Sequence, residues 1–167
     1  MRYVSTRGQA PALGFEDVIL AGLARDGGLY LPEVWPKFSP QKIAALAGRS
    51  FAEVSVEVIS SFTNGSPSKT DLLKMARNAY ACFRHPATTP LIQIGSQTFI
   101  LELFHGPTLA FKDFALQFLG NLLNHFLQKK EEKIAIIGAT SGDTGSAAIQ
   151  RDSHFFSCTY KIALACA

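Results

Sequence analysis

Apolar residues recur at helical spacing through the first third of the chain. After Gly14, the acidic residues Glu16 and Asp17 precede an apolar stretch, and acidic side chains favour the first turn of a helix. This pattern predicts a helix that continues as far as Gly27-Gly28. Residues 29–32 then read as a short extended segment.

Helix-starting residues mark three more helices. Ser39-Pro40 combines a good N-cap with proline at the first helical position, and Gly48 is a plausible end for that helix. Ser50 and Glu53 have the spacing of a capping box, in which each side chain binds the other residue's backbone N–H. A further helix is predicted over residues 68–82, after a loop rich in glycine, serine and proline.

The pattern changes after residue 85. Residues 98–104 read as a strand, and residues 112–128 carry an apolar stripe at helical spacing. Residues 133–137 form a short continuous apolar run, as is typical of a strand buried on both faces of a parallel sheet. The three segments together predict one strand–helix–strand unit.

The chain therefore divides into three predicted parts. Residues 1–85 form a largely helical N-terminal segment, and residues 86–149 form an incomplete parallel-sheet domain of the α/β class. Residues 150–167 do not continue the preceding periodicity, so the helix after Gly145 is expected to have about two turns at most.

Composition narrows the class of protein. A length of 167 residues suits about one domain, and 47% apolar residues suit a packed core rather than a disordered chain. The net charge of +3 is small and unclustered, which argues against a nucleic-acid partner. Three cysteines without zinc-type spacing predict reduced thiols and no metal site. Neither a membrane span nor a signal peptide is recognised, so a cytoplasmic location is expected.

Two segments are the strongest candidates for chemistry. The loop over residues 138–145 follows a strand and precedes a helix, where backbone N–H groups suit an anion or a carboxylate; an ordinary connection is the alternative. Lys112 lies near a helix start between Phe111 and Phe114, where reduced hydration favours a nucleophilic amine. A lysine that merely extends to solvent from a helix end is the more common case.

Weaker candidates are His105, as a general base or a packing residue, and Asp113, as a catalytic carboxylate or an ordinary first-turn one. Arg7, Arg25 and Asp26 are charged groups that a charged substrate could contact, although exposed charges usually have no specific partner.

Four segments, in the same order, resemble the threonine synthase family. Residues 105–113 (His-Gly-Pro-Thr-Leu-Ala-Phe-Lys-Asp) resemble its pyridoxal-lysine segment, and residues 141–145 (Ser-Gly-Asp-Thr-Gly) resemble its second signature. Residues 3–8 and 22–32 are similar to its opening. Asp143 stands where the other fold-type II pyridoxal phosphate enzymes usually have asparagine, which favours threonine synthase over them.

The resemblance implies a carbon–oxygen lyase acting on phosphates, which converts O-phospho-L-homoserine and water into L-threonine and phosphate. It implies pyridoxal 5′-phosphate as cofactor, bound covalently by Lys112, which would also move protons at the α and β carbons of the substrate. A further set of residues would hold the substrate carboxylate and the oxygen side of the cofactor ring: Ser141, Gly142, Asp143 and Thr144.

The chain also departs from the family. Members are more than twice as long, and the later glycine-rich loop for the cofactor phosphate is not found in this sequence. The resemblance ends near Ile149, which predicts a truncated, N-terminal portion that does not sustain catalysis alone. The alternative is a non-catalytic remnant that binds a small ligand or a partner. The oligomeric state is not indicated.

Overall fold

The computed structural model describes residues 1–140, 142–152 and 160–166. Its backbone contacts divide the chain into two compact units, Met1–Lys74 and Met75–Ala167. The predicted α/β class is confirmed, because the described residues combine helices with three small two-stranded sheets. The predicted division at residues 85 and 149 stays a prediction.

The first unit combines one small sheet with helices. Strands β1 (Tyr3–Ser5) and β2 (Tyr30–Pro32) pair antiparallel, with Val4 opposite Leu31. The helices are α1 (Phe15–Ala21), α2 (Pro40–Ala44), α3 (Phe51–Thr63) and α4 (Lys69–Tyr80), of which α4 runs on into the second unit. Strand β1 was not expected, because three residues are too short to show an alternating pattern.

Local side chains fix where these helices begin. The Ser39 side chain accepts a hydrogen bond from the Lys42 amide at the start of α2. At the start of α3, the Ser50 amide donates to Glu53 Oε2 at 2.9 Å, and the Glu53 amide donates to Ser50 Oγ at 3.3 Å. The predicted caps of both helices are therefore confirmed.

Two helix ends were predicted too late. Helix α1 ends before Gly22, whose φ of +67° reverses the chain in the left-handed region, and not at Gly27-Gly28. Helix α2 ends at Ala44, because Leu46 and Ala47 donate to carbonyls three residues back and tighten the chain before Gly48.

The described residues of the second unit form two sheets. Strands β3 (Leu91–Gln93) and β4 (Phe99–Leu101) form an antiparallel hairpin whose residues are exposed. Helix α5 (Asp113–Lys130), strand β5 (Ile134–Thr140), helix α6 (Asp143–Asp152) and strand β6 (Tyr160–Cys166) follow. Strands β5 and β6 pair in parallel, with Ile134 opposite Tyr160 and Thr140 opposite Cys166.

The predicted strand–helix–strand unit was wrong in its position. The strand expected over residues 98–104 is the short β4, which pairs with β3 and lies in a different sheet from β5. The parallel pair instead consists of β5 and β6, joined through α6. Helix α6 begins at Asp143, before Gly145, and the part of it after Gly145 has about two turns, as expected.

Helix α5 supplies the core of the second unit. Its buried apolar side chains recur every three to four residues, as the stripe predicted, and they are Phe118, Leu122, Leu123, Phe126 and Leu127.

None of the helices in the described part of the chain is long and apolar enough to cross a membrane.

Candidate functional site

Lys112 occupies the N-cap position of α5 and is half-buried. Its Nζ lies 5.2 Å from the centroid of the Phe111 ring. No hydrogen bond from its own side chain caps the helix. The amine is therefore placed at the start of a helix, beside an aromatic surface.

The loop before Lys112 closes around the side chain of Asp113. One carboxylate oxygen, Oδ2, accepts from the Thr108 amide at 2.9 Å, and Oδ1 accepts from the Thr108 hydroxyl at 2.8 Å. Asp113 has 0% of its surface exposed. Gly106 packs against it so closely that a Cβ at that position would lie 2.6 Å from Asp113 Cβ.

The second predicted loop leads from β5 into α6. Gly142 has a φ of +136°, a conformation that other residues rarely adopt. Thr140 Oγ1 accepts from the Gly142 amide at 3.3 Å and from the Gly145 amide at 3.1 Å. The first N–H groups of a helix have no acceptor within the helix. The Thr140 hydroxyl oxygen supplies an acceptor for one of them, the Gly145 amide of α6. Ser141 lies outside the described residues.

One cavity of about 410 Å³ joins the two segments, because both Lys112 and Thr144 line it. The other lining residues are apolar: Leu103, Phe111, Phe114, Ala115 and Leu116. Gly142 and Asp143 are not among the lining residues described, although they begin the helix that carries Thr144. The arrangement offers an amine, a hydroxyl and a positive helix end beside an apolar wall.

Comparisons with known proteins find relatives with similar sequences and structures. Residues 2–80 match the family model described as threonine synthase N terminus. Threonine synthase of Pseudomonas aeruginosa is 57% identical over 150 residues, which cover 90% of this chain and 32% of the relative. The chain is similar to the N-terminal third of threonine synthases.

Solved structures of threonine synthases have the same fold over this region. The pyridoxal-phosphate-bound enzyme from Brucella melitensis superposes with a TM-score of 0.93 at 50% identity, over 99% of this chain and 35% of that one. Threonine synthase from yeast superposes with a TM-score of 0.89 at 36% identity, again over 99% and 35%. The chain spans about a third of the length of the relatives it matches.

Two further candidates of the second unit, His105 and Asp113, have structural partners. His105 Nε2 lies 2.6 Å from Glu102 Oε2, and the His105 ring also stacks on Phe104. His105 is absent from the described lining of the cavity. Asp113 was expected to be either a catalytic carboxylate or an ordinary carboxylate in the first turn of a helix. It lies in the first turn of α5, and its carboxylate accepts a hydrogen bond from the Thr108 amide.

Asp26 and Arg7, two of the charged candidates of the first unit, connect residues 5–10 with residues 26–28. The Asp26 carboxylate accepts hydrogen bonds from the Ser5 hydroxyl at 2.7 Å and from the amides of Gln9, Ala10 and Gly28 at 2.9 Å each. Desolvation raises the pKa of Asp26, but these hydrogen bonds outweigh it and lower the pKa to about 2. Arg7 donates to the Asp26 carbonyl at 2.9 Å, whereas Arg25 is exposed.

Sequence reasoning missed Thr108 and Thr140, two threonines close to the candidate residues. Thr108 holds Asp113, and Thr140 accepts two amides at the start of α6. A threonine a few residues before a helix is a common cap, so this signal was present at both positions.

In the described part of the chain, no cluster of three His, Cys, Asp or Glu side chains is placed to hold a metal ion.

Proposed function

We propose that this chain is the part of a threonine synthase that carries the cofactor lysine. The complete enzyme would convert O-phospho-L-homoserine and water into L-threonine and phosphate, as a lyase that acts on a carbon–oxygen bond. The observation that carries the proposal is the cavity lined by both Lys112 and Thr144, in a chain that is 57% identical over 150 residues to a threonine synthase.

The cavity suits pyridoxal 5′-phosphate in size and in chemistry. Its volume of about 410 Å³ lies in the range of small-molecule sites. Phe111 and Phe114 offer apolar surfaces for a planar ring, and the Lys112 amine can bind the aldehyde covalently. When bound, the cofactor supplies an electron-withdrawing ring that stabilises negative charge on the carbons of an amino-acid substrate.

The chain's own residues would then have separate tasks. Lys112, once released from the cofactor, would hold and move protons at the α and β carbons of the substrate. The substrate carboxylate would be bound by Ser141, Gly142, Asp143 and Thr144, because α6 begins at Asp143 and N–H groups at a helix start suit an anion. The apolar wall would exclude water from the amine.

We expect the 167-residue chain alone to bind the cofactor without forming threonine. Among the lining residues that the structure describes, Lys112 is the one cation, and its amine would be engaged with the aldehyde. The cofactor phosphate would then lack a cationic partner among these residues. A cytoplasmic location also stays a prediction, and the comparisons do not favour a non-catalytic binding domain.

Covalent labelling tests the proposal directly. The purified chain is incubated with pyridoxal 5′-phosphate, reduced with borohydride, digested and mapped by mass spectrometry. We expect one dominant modified peptide that carries Lys112. Lys112→Ala should abolish it, and Lys133→Ala, which removes an exposed lysine of the same unit, should leave it unchanged.

Two outcomes would count against the proposal. Even labelling of many lysines would mean that the cavity does not select Lys112. A change of the cofactor absorbance with L-serine but not with O-phospho-L-homoserine would point to another β-replacing or eliminating enzyme.

A further inference from the structure

The side chain of Asp113 is more buried and more fully hydrogen-bonded than a carboxylate in the first turn of a helix usually is. Such a carboxylate usually lies at the surface, where it interacts with the helix dipole. Asp113 is instead fully buried, and each of its oxygens accepts one hydrogen bond from Thr108. Burial of a carboxylate costs free energy unless hydrogen bonds compensate it.

These two hydrogen bonds close a ring of chain from Thr108 to Asp113, and Lys112 lies inside that ring. The Asp113 amide also donates to the Ala110 carbonyl at 3.1 Å within it. The left-handed Leu109, with a φ of +63°, makes the turn that the closure requires. The backbone on both sides of Lys112 is therefore fixed.

We propose that Asp113 is a positioning residue, which acts through Thr108 to hold the Lys112 amine at the cavity. The inference rests on the proposed function in that Lys112 is taken as the residue that reacts. It goes further by assigning a role to a carboxylate that is absent from the described lining of the cavity. Asp113 touches the loop, and Lys112 carries the reactive group.

The hydroxyl of Thr108 allows the ring to be weakened without removal of the buried carboxylate. Thr108→Val keeps the size and the backbone amide but loses the hydrogen bond to Oδ1, whereas Thr108→Ser retains it. Asp113→Asn tests charge separately, because an amide oxygen still accepts from the Thr108 amide and its NH₂ still donates to the hydroxyl.

Two readouts at Lys112 separate positioning from simple loss of stability. The first is labelling by pyridoxal 5′-phosphate and borohydride, which needs a correctly placed amine. The second is reductive methylation by formaldehyde, which needs only an accessible amine and no cofactor site. The extent of each modification at Lys112 is normalised to the extent of the same modification at Lys133, an exposed lysine of the same unit.

We expect Thr108→Val to lower the cofactor labelling of Lys112 about tenfold, the lower end of the factor that one charge-assisted hydrogen bond provides. Methylation of the same lysine should rise severalfold, because a loosened ring exposes it. Thr108→Ser should restore both values, and Asp113→Asn should lie nearer to the unchanged chain than Asp113→Ala.

A Thr108→Val chain that melts at a lower temperature but keeps both readouts would overturn the inference, since Asp113 would then serve stability alone. Failure of the proposed function would look different. The unchanged chain would show no preferred cofactor labelling, while the methylation of Lys112 would still respond to Thr108→Val.

Discussion

Replacement of Gly106 by alanine measures how tightly the loop before Lys112 is packed. An added Cβ would overlap Asp113 Oδ2 and would lie 2.6 Å from its Cβ and 2.8 Å from its Cγ. The Cβ of Asp113 is fixed to the first turn of α5, so the side chain cannot move aside by rotation alone. Either the loop backbone shifts, or the carboxylate loses its contacts with Thr108.

The size of the effect follows from those two routes. Overpacking of a tight site costs about 1–3 kcal/mol, and a lost hydrogen bond to a charged group costs about 1.5–3 kcal/mol. Because relaxation along either route relieves part of the other, we expect Gly106→Ala to destabilise the fold by about 3 kcal/mol. At roughly 2–4 °C per kcal/mol, the melting temperature should fall by about 6–12 °C.

Thermal unfolding followed by circular dichroism checks this value. Gly95→Ala is the matched control, because a Cβ there would meet Thr98 at 3.6 Å, which is an ordinary contact. That control should melt within about 2 °C of the unchanged chain, which is within the ±0.5 kcal/mol of a harmless surface change. If Gly106→Ala melted together with Gly95→Ala, Asp113 would have room to move, and the argument for a tightly closed loop would fail.

Three smaller effects follow from other contacts. Ser50→Ala should cost about 1 kcal/mol by removing the N-cap of α3, measured as a lower urea midpoint at unchanged slope. Tyr3→Phe should cost about 1 kcal/mol in the same assay, because the Tyr3 hydroxyl donates to the Phe62 carbonyl at 2.9 Å. The pKa of Asp26 is lowered from 3.8 to about 2, so its contribution to stability is present above about pH 4 and is lost as the pH falls towards 2. Asp26→Asn should be less stable at neutral pH and should lose less stability over that window; parallel pH profiles of the two chains would contradict this.

The starts of helices α2, α3 and α4 could be predicted from the sequence, because each depends on a serine side chain and a backbone amide only three residues later. Ser39, Ser50 and Ser68 were all expected to begin helices, and each accepts a hydrogen bond from the amide three residues later. The positions of helix ends depend on backbone conformation as well. Gly22 and Gly48 both adopt positive φ, yet α2 had already ended at Ala44.

The pairing of strands could not be read in the same way. An apolar run shows that a segment is extended, but it does not identify the partner strand. Strand β4 is apolar and was assigned to the parallel sheet, whereas it pairs with β3 across a short turn. Residues 160–166 form a parallel partner of β5, although the preceding residues had suggested that the periodicity breaks down there.

The candidate site shows the same division between local and distant information. Lys112 and Thr144 were identified from two separate signatures, but nothing in either signature brings them to one cavity. The approach is made by α5 and α6, where the Gln117 side-chain amide donates to the Ala147 carbonyl at 3.4 Å. Ala147 is fully buried, and its small side chain lets the α6 backbone come this close to α5. The distance between the Lys112 amine and the start of α6 is therefore set by Gln117 and Ala147, which lie one to two turns inside α5 and α6. Their sequence pattern does not mark them as part of a functional site.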